Sequence, residues 1–367
     1  MMLNTRQNEV FVMKIEYIFA AFALLGILDK LTGNRFKLGD ELEKGIMTMG
    51  TLMLSMAGMI VLSPVLANGL SSLFAPALQA IGMDASVLSA LFPNDAGGAA
   101  IAYELSDNVP LRAYNGLIVA SMFGVTLCML PLILKLVDPA HMEDALLGLL
   151  CGLATIPVGC IVGGLMLGIP LLSILLNTAP IALLSLLICW GLWKKPQLVK
   201  RILSIVGIIL TALIFIGLGL GILQSLCSLT PIRGIAPMSD VFLTVGSIAL
   251  LLSGVFPMLS ILSRLLRRPL LWVGKFFSLD ETSVLGLITS LANAIPMYEM
   301  TKTMNRKGRV INVAFAVSAG YTIGDHLAFT LAFDSQFTAP MVVAKLVSGI
   351  TAVLLAALLC KKQPEKA

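Results

Sequence analysis

The sequence predicts an all-α polytopic membrane protein, an inverted repeat with two re-entrant hairpins and about nine crossing helices. Three observations lead there. Of 367 residues, 58% are hydrophobic and only 12% charged; an ordinary soluble domain is nearer half apolar and a quarter charged. Apolar runs of bilayer length recur along the chain, and the two halves match when the sequence is slid by about 196 positions.

A helical crossing needs about 20 apolar residues. Such runs lie near 15–32, 46–68, 112–136, 145–168, 173–193, 202–228, 241–263, 309–333 and 341–360, and the polar stretches around 33–44 and 299–309 are loops only. The first run is followed by Asp29-Lys30-Leu31-Thr32-Gly33 and not by a small-residue cleavage site, so a retained helix is expected in place of a signal peptide.

The self-match is ordered. Gly50 meets Gly246 and Gly58 meets Gly254; Ser86-Val87-Leu88 meets Ser283-Val284-Leu285; Glu104 meets Glu299; Arg112, Asn115 and Ser121 meet Arg309, Asn312 and Ser318. The expected units are 13–168 and 202–360, joined by 169–201, a membrane helix followed by a basic loop. Internal repeats recur in secondary transporters.

Each unit contains a segment that makes a poor plain span. The first, 84–106, is interrupted by Pro93-Asn94-Asp95-Ala96-Gly97-Gly98, and the second, 280–302, by Asn293-Ala294-Ile295-Pro296. Breaks of this kind free backbone groups that lipid cannot satisfy, so they belong where protein or a wet cavity surrounds them. Arg264, Arg267, Arg268 and Lys275 precede the second segment, and Lys302, Arg306, Lys307 and Arg309 follow it. Positive charge marks the cytoplasmic side of short loops, which puts both flanks inside. The flanks of the first segment, 69–84 and 106–111, carry no lysine or arginine and are placed outside. With both hairpins non-crossing, nine crossings remain, four per unit plus the joining helix, and the two units are inverted. The loop 194–201 and the tail at Lys361 and Lys362 then lie inside.

Hairpins meeting tip to tip near the midplane would build a solute site from broken-helix ends. Their tips supply Asn94, Asp95 and Asn293. Asp95 is ionisable within an apolar stretch, which is expensive unless it is paired or wet; it reads as the partner of a cationic solute, or as a cap on the half-helix at Gly97. Asp325 and His326 lie deep in the run 309–333, beside Tyr321 and the hydroxyl of Ser318. They read as a solute site or proton relay, or as a structural pair joining two helices. Glu104 and Glu299, next to Tyr103 and Tyr298, suggest anchors at the membrane interface. Gly159, Gly163, Gly164 and Gly168 suggest close helix packing.

The six cysteines form no CxxC pair and read as small buried hydrophobes. No P-loop, metal-ligand spacing or nucleophile elbow occurs, so no cofactor, metal or ATP-driven pumping is expected. The net charge of +5 sits in clusters that bound apolar segments and reads as a topology signal, not a nucleic-acid surface.

The chain resembles the ethanolamine permeases of bacterial ethanolamine-utilisation operons, the EutH family, from about Met13 onward. The resemblance is carried by Ala154-Thr-Ile-Pro-Val-Gly-Cys-Ile-Val-Gly-Gly164, Ser290-Leu-Ala-Asn-Ala-Ile-Pro-Met297, Val310-Ile-Asn-Val-Ala-Phe-Ala-Val-Ser-Ala319 and Gly324-Asp-His-Leu327. At the first hairpin the chain departs from the family at Asn94 but keeps the aspartate and both glycines. The resemblance implies uptake of ethanolamine across the bacterial cytoplasmic (inner) membrane, feeding ethanolamine catabolism, by a multi-pass protein in contact with lipid. A homodimer is the expected assembly. Ethanolamine is mostly a cation at neutral pH, and its ammonium and hydroxyl need a carboxylate, amide or carbonyl acceptors, and an aromatic face. Asp95, Asn293, Asp325 and Tyr321 are of those types. The competing readings are a membrane-embedded enzyme using Asp95, Asp325 and His326, and a channel or transporter for another small amine.

Overall fold

The computed structural model describes residues 2–361, with side chains over 15–360 except for six positions between 266 and 276. The side chains of Arg267, Lys275 and Lys361, and the whole of Lys362, fall outside the described residues. No strand occurs among the described residues. Helices α1 (Met2–Leu31) and α2 (Leu38–Ala80) are followed by a 3-10 turn (Ala85–Leu91), a π turn (Asn94–Gly98) and α3 (Ala99–Leu105). A single long element then runs from α4 (Val109–Ala113) through a π-helical stretch (Tyr114–Gly124) into α5 (Val125–Leu136). Helices α6 (Met142–Met166), α7 (Leu171–Lys194), α8 (Pro196–Cys227) and α9 (Met238–Phe276) come next. Last are the short α10 (Glu281–Ala292) and α11 (Ala294–Met300), then α12 (Arg306–Ala319), α13 (Asp325–Asp334) and α14 (Thr338–Lys361).

Seven elements are long and apolar enough to cross a membrane: 38–80, 109–136, 139–166, 171–194, 196–227, 238–265 and 325–360. The chain is thus a multi-pass helical membrane protein. Large apolar side chains such as Trp190 and Trp193 of α7 and Ile208 and Phe215 of α8 are exposed, as lipid-facing helices require.

One expectation needs correction. The run 309–333, read as a single crossing helix, is two helices, α12 and α13, separated by the turn 320–324. The cause is tertiary. The amide of Tyr321 donates to the carbonyl of Ser290 (2.8 Å) and that of Ile323 to the carbonyl of Leu291 (2.9 Å). These are orphan carbonyls at the end of α10, which no helix of its own can satisfy. Each break thereby supplies the groups that the other leaves open. Tyr321 adopts a left-handed φ of 62° to do so. Gly324 comes so close that a Cβ there would run into the carbonyl of Ala292.

Close helix crossings organise the bundle. A Cβ on Gly58 of α2 would strike the carbonyl of Ile214 on α8, and one on Gly254 of α9 would strike that of Phe19 on α1. Helices α6, α12 and α14 pack around Gly148, Gly152, Gly159 and Gly163, with Gly159 lying on the carbonyl of Ala344. The glycine run of α6 is a packing surface. Tyr298 lies buried within this core, so it is not an interface anchor.

The segments 84–106 and 280–302 are both closed at their bases, by related bonds. Asp84 accepts from the amide of Ser86 (2.9 Å) and from the hydroxyl of Ser106 (2.7 Å). Asp280 accepts from the amide of Ser283 (2.8 Å) and from that of Asn305 (2.6 Å). The Asn115 amide donates to the hydroxyl of Ser86, and that of Asn312 to the carbonyl of Ser283, both at 2.9 Å. Asn108 then caps α4 and Asn305 caps α12.

Candidate functional site

The first tip is a tight turn. The amides of Ala96 (3.1 Å) and Gly98 (2.8 Å) both donate to the Pro93 carbonyl, and Gly97 takes a φ of +105°, a conformation glycine adopts without strain. The tip rests on the π stretch, where a Cβ on Gly98 would lie 3.0 Å from that of Ala120. Asp95 is held here, surrounded by protein yet retaining accessible surface, with the amides of Asp95 and Ala96 facing its carboxylate. Asn94 is 1% exposed, and among the described residues neither its side-chain oxygen nor its nitrogen has a hydrogen-bond partner.

Asp325 opens α13, also deep and also with accessible surface, within electrostatic reach of Asp95. The ring of Tyr321 lies 5.3 Å from that of His326, tilted by 35°, and Tyr321 is within electrostatic reach of both carboxylates. His326 Nδ1 and the buried hydroxyls of Ser318 and Thr330 have no partner among the described residues. Buried polar groups are normally satisfied, and this concentration of open donors and acceptors suits a polar guest. The structure thus brings Asp95, Asp325, Tyr321 and His326 into one cluster, with Asn94 at its edge.

Asn293 follows Ala292, whose carbonyl meets Gly324, the residue before Asp325. The Asn293 side chain accepts from the amide of Ile295 at 2.9 Å, capping α11, and it is exposed in a cleft of about 540 Å³ lined also by Glu41, Lys44, Phe256, Ser260 and Thr289. That volume is within the usual range for small-molecule sites. The cleft lies between α2, α9 and the second hairpin, at the end of the molecule where Arg264 donates to the carbonyl of Phe36.

One member of the cluster escaped the sequence reading. Lys345 of α14 is 1% exposed, and its Nζ donates to the Ser121 carbonyl at 2.7 Å. It lies within electrostatic reach of Asp95 and of His326. Its signal was present: a lone cation inside the apolar run 341–360, where ionisable residues mark function by default. Among the described residues no group of three or more His, Cys, Asp or Glu side chains could hold a metal ion.

The sequence model of the family described as "Ethanolamine utilisation protein, EutH" matches residues 11–359. A protein of Listeria monocytogenes named "Probable ethanolamine permease EutH" is 39% identical over 361 residues, covering 98% of this chain and 96% of the relative. A protein of the same name from Escherichia coli is 34% identical, covering 97% and 96%. The uncharacterised protein YxeR of Bacillus subtilis is 35% identical, covering 96% of both. No solved structure matches. With its length matched almost end to end, the chain belongs to the EutH family.

Proposed function

We propose that the chain is an ethanolamine permease of the bacterial cytoplasmic membrane, with Asp95 as the partner of the solute's ammonium. The observation that carries the reading is the pair of deep carboxylates, Asp95 and Asp325, within electrostatic reach of each other and of Tyr321 in a chain of this family. A buried anion without a partner is costly. When an ammonium solute enters, site and solute lose water together and each offsets the other. Tyr321 offers an aromatic face, and Asn94 and Ser318 offer donors and acceptors for the hydroxyl.

The same reading makes the two closed segments re-entrant hairpins of an inverted repeat. Contacts between chain ends support it. One end gathers Asp144 with Arg306 and Arg309, and Arg264 with Phe36, which are positions that the nine-crossing topology places inside. The other gathers Tyr103 with Asp334 (2.7 Å) and Asp84 with Asn177 (3.3 Å), the positions placed outside. The first hairpin then enters from outside and the second from the cytoplasm, and the cleft at Asn293 is the inner vestibule.

Purified protein in liposomes should take up ethanolamine saturably, and a channel would instead show flux linear in concentration. Absence of flux under imposed proton, sodium and solute gradients would leave the enzyme reading standing and sink the transporter.

A further inference from the structure

Lys345 presents a problem that its hydrogen bond does not solve. An ammonium carries three donors, and among the described residues Lys345 makes one hydrogen bond, to Ser121. A cation at membrane depth needs more than that, and such groups pair with one another or with backbone carbonyls. The π stretch also carries the tip that holds Asp95. Ser121, which holds the ammonium, adjoins Ala120, on which the tip carrying Asp95 is seated. Lys345 and the Asp95 tip therefore share one platform, two consecutive residues of the same element.

Asp95 in turn lies within reach of Asp325, so three ionisable groups belong to one cluster. Counted by formal charge, two carboxylates and one ammonium leave a single negative charge, and His326 in its neutral form adds none. A guest with one positive charge closes that balance. A guest with two would leave an unpaired cation enclosed by protein, and a neutral guest an unpaired anion.

We infer that Lys345 sets the charge of the permitted solute: its ammonium cancels one of the two carboxylates, so that the cluster accepts monoamines and refuses diamines. The inference rests on the reading of Asp95 and Asp325 as the solute's partners and extends it, because the charge preference becomes a property of α14, outside both hairpins. The ammonium of Lys345 repels a second positive charge and so excludes the wrong partner.

The test compares two competitors of equal length, 3-aminopropanol with one charge and 1,3-diaminopropane with two, against ethanolamine uptake by the full-length protein in liposomes. In the unaltered protein the diamine should compete at least tenfold more weakly than the aminoalcohol. In Lys345→Met that ratio should shift toward the diamine by tenfold or more. An unaltered ratio in folded Lys345→Met, or one altered only by lost stability, overturns the inference and leaves Lys345 a structural latch on Ser121.

Should Lys345→Met fail to fold, a second pair carries the test. Asp325→Asn alone leaves no net charge and should weaken ethanolamine at least tenfold. Asp325→Asn with Lys345→Met restores one negative charge and should return affinity to within about threefold of the unaltered protein. Buried pairs replaced together are often tolerated by the fold. A double variant no better than Asp325→Asn alone overturns the inference. Asp95→Asn with undiminished ethanolamine affinity would instead overturn the underlying site, whatever Lys345 does.

Discussion

The segments 84–106 and 280–302 share a base and differ where each is interrupted. Each begins at an aspartate that caps the first limb and reaches across, to Ser106 at the end of the second limb in one and to Asn305, the cap of the next helix, in the other. At the first tip, the neighbouring element stays helical, widened into the π stretch, and Asp95 is enclosed. At the second, the neighbour breaks between α12 and α13 to meet the carbonyls of α10, and Asn293 is left facing an open cleft. The difference teaches that a repeated framework can carry unlike chemistry. The base bonds set where each segment starts and stops, while the neighbouring element decides whether its polar residue is enclosed or faces an open cleft.

The largest expected effect tests the enclosed tip. Asp95→Asn keeps the shape of the side chain and removes its charge, so ethanolamine binding should fall by about 2–5 kcal/mol, as for other desolvated charge pairs. Thermal stability should hold or rise, because the empty site no longer buries an anion. Calorimetric titration and a thermal melt on the same sample read both quantities. Lower stability with near-normal binding would make Asp95 a cap and move the ammonium partner to Asp325.

Next comes the contact between each hairpin and its neighbour. Gly324→Ala drives a methyl against the carbonyl of Ala292, and Gly124→Ala drives one against that of Phe92. Overpacking of this kind typically costs about 1–3 kcal/mol, read as a fall in melting temperature. Gly324→Ala should also disturb the paired breaks and with them Asp325. Ethanolamine affinity unaffected in a destabilised Gly324→Ala would detach Asp325 from the site.

Removing the base caps should have a smaller and matched effect. Asp84→Ala and Asp280→Ala each lose an N-cap worth about 1 kcal/mol, and their losses in chemical or thermal unfolding should be alike. A much larger cost at one of them would show that the shared base is shared in sequence only.

Asn293→Ala is expected to do least. It removes a cap at an exposed position, about 0.5 kcal/mol of stability, and should weaken ethanolamine binding by less than tenfold. A loss matching that of Asp95→Asn would place Asn293 at the solute and erase the contrast between the tips.

The all-helical, multi-pass character of the fold could be read from hydropathy, because lipid imposes a length on every crossing and leaves breaks conspicuous. The segments beginning at Asp84 and Asp280 stood out for that reason, as did Asp95. The break at 320–324 did not, since Gly320-Tyr-Thr-Ile-Gly324 is only mildly polar and is opened by the carbonyls of Ser290 and Leu291, some thirty residues earlier. Averaging also hid Lys345, one cation diluted by an apolar helix. Which of two tip residues is enclosed depends on what packs against it, and Asn94 and Asn293 look alike until the π stretch and the cleft are seen.

The measurement that bears most directly on the account is the sidedness of the two hairpins. In a background with the six native cysteines replaced, Asp107→Cys and Lys302→Cys place single thiols at exposed positions just beyond each base. A membrane-impermeant maleimide should label Cys at 107 from outside the cell alone, and Cys at 302 only once the cytoplasmic face is opened. Labelling of both from one face would contradict opposed hairpins, and with them a solute site built where the two tips approach.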